Sequence, residues 1–434
     1  MQTLTASLPL ATTTAELRSG QRDLLEFVHE VCERVDALEP QIQALLAEPG
    51  RRARLTAEAT GLQQRFPDPA QRPPLYGALL GVKDIFRADG FPTRAGSQLP
   101  PDLFSGPEAS SVTRLREAGA LVLGKTVTTE FAYFEPGPTR NPYHLEHTPG
   151  GSSSGSAAAV AAGFCSLALG TQTIGSVIRP AAFCGIVGFK PSYGRIATDG
   201  IIPYSDSVDT IGLLTHDVAG IALAAALLCN HWREATVKSM PTLAVPDGPY
   251  LAQAAPEALA AFEQQLTLLK NAGYTIKRVA ALDDIQVINL RHQHLISAEM
   301  AQVHAGWFPS NEALYRPRTT EQIRAGRNVS TEQFAQARTS CVQLRIELEG
   351  LMEREEVDLW VSPAAVGPAP KGIAKTGDPV MNLPWTHAGM PALTLPAGRA
   401  ADGLPLGLQV VAQAMADEQL LAWAEPMATA LARQ

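Results

Sequence analysis

The sequence predicts an α/β fold: a single large domain in which a central mixed β-sheet is sandwiched between helix layers. From Leu75 onward, short apolar runs such as YGALLGVKDIF, ALVLGK and IVGFK are separated by helical segments, which is typical of strands that alternate with helices. Strand-like runs return near the end of the chain as VDLWVSP, ALTLPAG and LGLQVVAQ. One sheet is therefore expected to take strands from both halves of the sequence.

Composition indicates a globular protein and narrows its partners. Of the 434 residues, 45% are apolar and 18% are charged, which is too few charges for a disordered or coiled-coil chain. The net charge of −8, without any basic block, argues against nucleic acid or a membrane as the main partner. A small-molecule substrate is therefore expected.

Cysteine usage and the amino terminus predict a cytoplasmic protein. The five cysteines are widely spaced and form no CxxC pair, as is typical of reduced thiols. The amino terminus lacks a basic start followed by an apolar core, so no secretory signal is expected. Apolar stretches at 156–170 and 221–229 are shorter than the roughly 18 residues that a membrane span needs. We expect both to be buried helices.

Four segments are expected within one domain. A helical arm comes first, because Leu24, Val28, Val31 and Val35 recur at helical spacing. A long, mostly helical stretch later in the chain is interpreted as an elaboration of the same domain and a possible lid. The expected segments of the domain 1–434 are the arm at 1–65, the motif-bearing core at 66–250, the elaboration at 251–355, and closing strands with a last helix from Asp417 to Arg433 at 356–434.

The segment 149–191, PGGSSSGSAAAVAAGFCSLALGTQTIGSVIRPAAFCGIVGFKP, contains most of the chemical signal. Its small residues allow close backbone contacts, and hydroxyl groups lie among them. Ser176 follows a run, Thr173 to Gly175, whose N–H groups are able to face a reacting oxygen. This is the layout of an acyl-transfer site.

A serine hydroxyl needs a base that removes its proton. The nine histidines have no obvious carboxylate partner in sequence, and no HExxH motif indicates zinc. Lys83 lies in a strand-like apolar run, and burial there would lower its pKa toward the range in which the amine is neutral. The alternative is a structural lysine that reaches solvent or pairs with Asp84.

Two rival motifs fit the glycine-rich stretch less well. GSSSG matches the nucleophile elbow of α/β-hydrolases around Ser153, but that motif needs a preceding buried strand. The preceding residues, RNPYHLEHTPG, are polar. A phosphate-binding loop would end in GK[ST], which is absent here.

Three motifs together resemble the amidase signature family. They are GVKD around Lys83, GGSSSGSAAAVAAG with Ser152, and GTQTIGSVIRPAAFCGIVGFKPSYGR with Ser176, the two serines being 24 positions apart. Further fragments, VDLWVSPAA, NLPWTHAGMPALTLPAG and GLPLGLQVVAQ, resemble the family's carboxyl-terminal part. The resemblance covers roughly residues 70–430 and implies the amidase signature fold.

The resemblance also implies roles for the three residues. Ser176 would be the nucleophile that carries the acyl group. Ser152, preceded by a cis peptide bond, would relay the proton to Lys83. Neutral Lys83 would act as the final base and then return the proton to the leaving amine. Backbone N–H groups of the loop 173–176 would form the oxyanion hole, with neither cofactor nor metal.

Four positions depart from the family pattern. In the first motif, Ser154 and Gly155 stand where the family has a pair of glycines. Ile174 replaces an expected glycine, which predicts a different turn or a side chain that projects into the pocket. Gln172 replaces a frequent aspartate. Arg179 lies one position later than in many members, and it either holds a substrate carboxylate or ties loops together.

Aromatic residues are candidates for the substrate pocket. Phe131, Tyr133 and Phe134 fall where the family often lines its acyl pocket, and Trp385 is a candidate for another wall. Such residues are equally consistent with simple core packing. Trp307 and Phe308, in the helical elaboration, are candidates for a mobile lid.

The resemblance predicts a serine hydrolase that cleaves C–N bonds of small aryl or alkyl carboxamides, and by the same chemistry carbamates. One alternative is the amidase subunit of a tRNA-dependent amidotransferase, and another is a non-catalytic binding protein on the same fold. The expected assembly is a monomer or homodimer without nucleic acid.

Overall fold

A ten-stranded mixed sheet forms the centre of the computed structural model, which describes residues 3–237 and 239–432. The strands are β1 (Leu79–Lys83), β2 (Leu121–Thr126), β3 (Leu167–Gln172), β4 (Val187–Lys190), β5 (Thr210–Thr215), β6 (Leu243–Asp247), β7 (Ile276–Ala280), β8 (Leu359–Pro363), β9 (Ala392–Arg399) and β10 (Pro405–Val411). Their spatial order is β2-β1-β3-β5-β4-β9-β10-β8-β6-β7. The predicted mixed sheet with strands from both halves of the chain is confirmed.

Helices cover both faces of this sheet. In the part of the chain that the structure describes they are α1 (Leu10–Ser19), α2 (Leu24–Ile42), α3 (Arg51–Arg65), α4 (Ser110–Glu117), α5 (Ser154–Ala161), α6 (Ile178–Phe183), α7 (Val218–Leu228), α8 (Pro256–Asn271), α9 (Ile285–Val303), α10 (Phe308–Asn311), α11 (Pro317–Arg327), α12 (Thr331–Arg354), α13 (Leu383–His387) and α14 (Asp417–Leu431). None of these described helices combines the length and apolar character needed to cross a membrane.

Alternate residues of the strands enter two different cores. Leu167 and Leu169 of β3 belong to a large apolar cluster on one face, whereas Ala168 packs with the N-terminal helices and α5 on the other. This division follows from the two-residue period of a strand. The central strands are rich in apolar residues because both faces of the sheet are buried there.

Three predicted elements differ from the structure. The apolar stretch 156–170 is not one helix, because α5 ends at Ala161 and β3 begins at Leu167. The helical elaboration contains β7, an edge strand beside β6 in which only Val279 is buried. The last helix ends at Leu431, and its expected end at Arg433 lies outside the described residues.

The pairing of β1 with β3 creates the site. The two strands are parallel, so their carboxyl ends meet at one edge of the sheet. Lys83 is the last residue of β1, and Thr171 and Gln172 end β3. Loops that follow the carboxyl ends of parallel strands are where open α/β sheets bind ligands.

Candidate active site

Lys83 and Ser152 are in direct contact in the interior. The Lys83 Nζ atom lies 2.8 Å from Ser152 Oγ, 2.8 Å from Thr171 Oγ1 and 3.4 Å from the Thr171 carbonyl oxygen. Lys83 is fully buried and Ser152 nearly so. A neutral amine has two N–H donors and one lone pair. With its donors directed at Thr171, that lone pair is available to the Ser152 hydroxyl.

Burial changes the charge state of the amine. Desolvation lowers the pKa of Lys83 to about 7, an effect that the Asp209 carboxylate partly opposes. Burial also raises the pKa of Asp209 to about 6. The Asp209 carboxylate accepts hydrogen bonds from the Thr173 hydroxyl at 2.5 Å and from the Tyr204 N–H at 2.7 Å. One buried acid thus acts on both the lysine and the loop after β3.

The peptide bond between Gly151 and Ser152 is cis. The Gly151 carbonyl oxygen accepts a 2.7 Å hydrogen bond from Arg179 Nη2, which also donates to the Thr376 hydroxyl at 3.2 Å. Arg179 is buried, and its Nε and Nη1 atoms have no hydrogen-bond partner among the described residues. Arg179 therefore ties two loops together and also keeps donors free.

The loop 173–176, which the family resemblance predicts to form the oxyanion hole and which we call the oxyanion loop, is fixed through hydrogen bonds to its carbonyl groups. His292 Nε2 lies 3.1 Å from the Thr173 carbonyl oxygen, and the Thr386 hydroxyl donates to the Ile174 carbonyl oxygen at 2.7 Å. In a trans peptide the N–H points away from the C=O. The N–H groups of Ile174 and Gly175 therefore point away from these partners, and no protein acceptor within residues 3–237 and 239–432 pairs with them. Free donors of this kind suit a developing oxyanion.

Two further contacts shape this loop. Gln172 accepts the N–H groups of Val177 and Ile178 at the start of α6 and donates to the Thr386 hydroxyl. A Cβ atom on Gly175 would clash with the Asn382 side-chain oxygen, so only glycine fits there. Gln172 is thus occupied with the backbone and does not face the cavity.

Ser152 and Ser176 line the same narrow cavity. The Ser153 N–H donates to the Ser176 carbonyl oxygen at 3.3 Å, which holds the two serine-bearing segments together. The cavity is also lined by Ala132, Tyr133, Phe134, Thr173, Ile174, Arg179, Tyr204, Thr376 and Pro379. Its volume of about 10 Å³ is the space of about one water molecule.

A wider outer cavity adjoins the narrow one. Its volume is about 860 Å³, and it shares Tyr133, Phe134, Thr376 and Pro379 with the inner cavity. Arg318 and Glu321 of α11 form part of its wall. The helical elaboration therefore contributes to the surroundings of the site.

Three aromatic candidates lie away from the cavity wall. Phe131 packs in a buried cluster. Its ring centroid lies 4.5 Å from that of His304 and 5.8 Å from that of Phe104. Trp385 is buried and donates its indole N–H to Tyr250. Trp307 packs edge-on against Phe104. Phe131 and Trp385 lie in the packed core, and Trp307 is half-buried at its edge.

Sequence reasoning missed several residues that contact the site. His292, Thr386 and Asp209 hold the oxyanion loop, and Thr171 contacts the lysine. His292 lies 116 positions after Ser176, and neither its spacing nor its neighbours indicate this contact. In the part of the chain that the structure describes, no group of three or more His, Cys, Asp or Glu residues is placed to hold a metal ion.

Comparisons with known proteins identify the family of this chain. The Amidase family model matches residues 26–421. A glutamyl-tRNA(Gln) amidotransferase subunit of Oleidesulfovibrio alaskensis is 31% identical over 98% of this chain and 97% of its own length. A crystal structure of an amidase superposes with a TM-score of 0.86 at 31% identity, covering 96% of this chain and 99% of that one. Peptide amidase from Stenotrophomonas maltophilia superposes with a TM-score of 0.83 at 27% identity, covering 98% and 97%. The chain therefore belongs to the amidase signature family of hydrolases that act on C–N bonds.

Proposed function

We propose that this protein hydrolyses small carboxamides through an acyl-enzyme on Ser176. The observation that carries the proposal is the buried 2.8 Å contact between Lys83 Nζ and Ser152 Oγ, beside a loop with free N–H donors. A lysine buried without an adjacent ion-pair partner is costly unless its neutral form is used. A neutral amine against a serine hydroxyl is a base in position.

The reaction follows from these contacts. Lys83 takes the proton of Ser152, which takes the proton of Ser176 as its oxygen attacks the carbonyl carbon. The carbonyl oxygen gains the negative charge and accepts from the oxyanion loop. When the C–N bond breaks, the proton on Lys83 returns through Ser152 to the leaving nitrogen. Water then attacks the acyl group by the same proton path and releases the acid.

The dimensions of the two cavities indicate which part of a substrate each one accommodates. The space at Ser176 holds little more than the scissile carbonyl, whereas the outer cavity of about 860 Å³ is of the size that takes a drug-sized group. A small acyl group with a larger aryl or alkyl amine fits this arrangement. Tyr133 and Phe134 border both spaces and are the aromatic residues we assign to substrate contact.

Carbamates present the same carbonyl carbon and nitrogen to Ser176. Attack releases the amine and leaves an alkyl carbonate on the serine, which hydrolyses to the alcohol and carbon dioxide. Aryl carbamates therefore belong in the substrate panel beside anilides and primary amides.

A second candidate function is that of an amidotransferase subunit. It is favoured by the 31% identity to a protein with that role over nearly the whole chain. The purified chain would then act on glutamine only with partner subunits present. Release of amine from anilides by the chain alone supports the small-amide hydrolase, and glutamine hydrolysis that depends on added partners supports the amidotransferase role.

A serine series tests the proposal. We expect Ser176→Ala to lower kcat/KM by about 10⁴-fold or more, since removing a catalytic nucleophile has effects of this size. Ser154→Ala is the matched control. Ser154 lies in the same glycine-rich stretch as Ser152, and its buried hydroxyl donates to the Val127 carbonyl oxygen. A fluorophosphonate should label Ser176. Labelling of Ser153, or turnover by Ser176→Ala, contradicts the proposal.

A further inference from the structure

Two buried histidines lie behind the oxyanion loop and link it to two helices. His292 of α9 places Nε2 3.1 Å from the Thr173 carbonyl oxygen and Nδ1 3.1 Å from Nδ1 of His387 in α13. His387 Nε2 lies 2.8 Å from the hydroxyl of Ser340 in α12. Both histidines and Ser340 are buried. The chain of contacts runs from α12 to the loop that faces the substrate.

The donors in this chain follow from chemistry. A carbonyl oxygen only accepts, so His292 must carry its proton on Nε2. Burial holds the pKa of His292 well below its usual range and lowers the pKa of His387 to about 4, so both rings are neutral near pH 7. Nδ1 of neutral His292 is then an acceptor, and Nδ1 of His387 must donate to it. His387 Nε2 is left to accept from the Ser340 hydroxyl, whose proton is shared between this nitrogen and the Ala337 carbonyl oxygen 2.7 Å away.

We infer that His292 and His387 are positioning residues that aim the Ile174 N–H into the oxyanion hole. His292 holds the Thr173 carbonyl, and the rigid trans peptide turns the Ile174 N–H to the opposite side. His387 acts one step further away by fixing the tautomer of His292, as second-layer partners fix the tautomer of functional histidines elsewhere. The inference rests on the proposed function, since it deepens the account of the same site.

Loss of the second histidine has a specific consequence. Without the His387 donor, His292 is free to carry its proton on Nδ1 instead. Its Nε2 lone pair would then face the Thr173 carbonyl oxygen and repel it. The peptide plane between Thr173 and Ile174 would tilt, and the Ile174 N–H would no longer point at the oxyanion.

Paired substitutions separate positioning from packing. His292→Met and His387→Leu remove the ring donors, whereas His292→Gln and His387→Asn place an amide N–H near the lost Nε2 and Nδ1 positions. We expect the apolar variants to lower kcat about 10- to 100-fold at nearly unchanged KM, since outright loss of one oxyanion donor costs about 100- to 1,000-fold. The amide variants should recover most of that loss. His304→Leu, which removes a buried histidine just after α9 that contacts Tyr315, is the matched control and should keep kcat.

Two measurements accompany the kinetics. Affinity for a trifluoromethyl ketone, which forms a tetrahedral adduct on Ser176, should fall with kcat in the apolar variants. Nitrogen-15 NMR of the imidazoles should show Nε2–H on His292 and Nδ1–H on His387, and this readout does not depend on turnover. Unchanged kcat in His292→Met, equal losses in the Met and Gln variants, or the opposite tautomers would overturn the inference. A different result would contradict the proposed function instead. In that case the histidines show the expected tautomers, but the wild-type protein is inactive and fluorophosphonate does not label it.

Discussion

The Nζ atom of Lys83 lies 2.8 Å from Oγ of Ser152 in the buried interior of the protein. The base of the proposed reaction is thus in contact with its proton donor before substrate arrives. Since the geometry is already assembled, the charge on Lys83 decides whether the proton can move. This contact and its surroundings have four testable consequences.

Activity should depend on pH through the charge on Lys83. Burial lowers the pKa of Lys83 to about 7, so the amine is protonated and unable to act as a base below that value. We expect kcat/KM to rise about tenfold per pH unit well below pH 7 and to level off above it. The measurement uses an uncharged anilide between about pH 5 and 9. A rate that stays flat across the pKa of the lysine contradicts a lysine base.

Asp209 should shift that profile. Its carboxylate favours the charged form of Lys83, and in Asp209→Asn this attraction is lost. The rising limb of the pH profile is then expected at lower pH. The asparagine still offers an oxygen to the Tyr204 N–H, and its amide is able to donate to the Thr173 hydroxyl, so the loop contacts are kept. An unchanged profile would be evidence against coupling between the two groups, and a shift to higher pH would contradict its predicted sign.

Arg179 should matter to all substrates. Arg179→Met leaves the Gly151 carbonyl oxygen without its donor, and an unsatisfied buried group costs about 1–3 kcal/mol. We expect kcat for neutral amides to fall about tenfold or more, with partial recovery in Arg179→Lys. An extra loss confined to amides with a carboxylate on the acyl side would measure the contribution of the free Nη1 and Nε donors. If kcat for neutral amides is unchanged in Arg179→Met, Arg179 does not position the Gly151 carbonyl for the reaction.

Ile174 should limit the acyl group. Its side chain lines the narrow cavity at Ser176, so Ile174→Gly is expected to open space there. We expect kcat/KM to rise for benzoyl and butyryl anilides relative to the acetyl anilide by about 5-fold or more, because a single methylene in a hydrophobic pocket is worth about 10–200-fold in selectivity. Ile174→Val serves as the conservative control. The same preference order in Ile174→Gly and wild type would show that other residues set acyl size.

Much of the fold was accessible from the sequence because its signals are local. Apolar runs bounded by glycine and proline predicted β1, β2, β4 and the closing strands, and helical spacing predicted the N-terminal arm. The strand β3 was not separated from α5, because an unbroken run of small apolar residues fits a buried helix and a buried strand equally well. Edge strand β7 was missed because its half-exposed residues resemble the polar helices around it.

Local sequence also predicted the chemistry: motif resemblance singled out Lys83, Ser152 and Ser176, and the apolar run around Lys83 predicted a buried amine with a lowered pKa. Only the tertiary structure showed which residues contact these groups and the loop beside them. His292, Asp209 and Thr386 reach the oxyanion loop from elements far away in the chain, and Arg179 closes on the Gly151 carbonyl. Side-chain contacts across such separations depend on how helices pack on the sheet. A linear pattern records which residues are buried, whereas their partners are decided by packing in three dimensions.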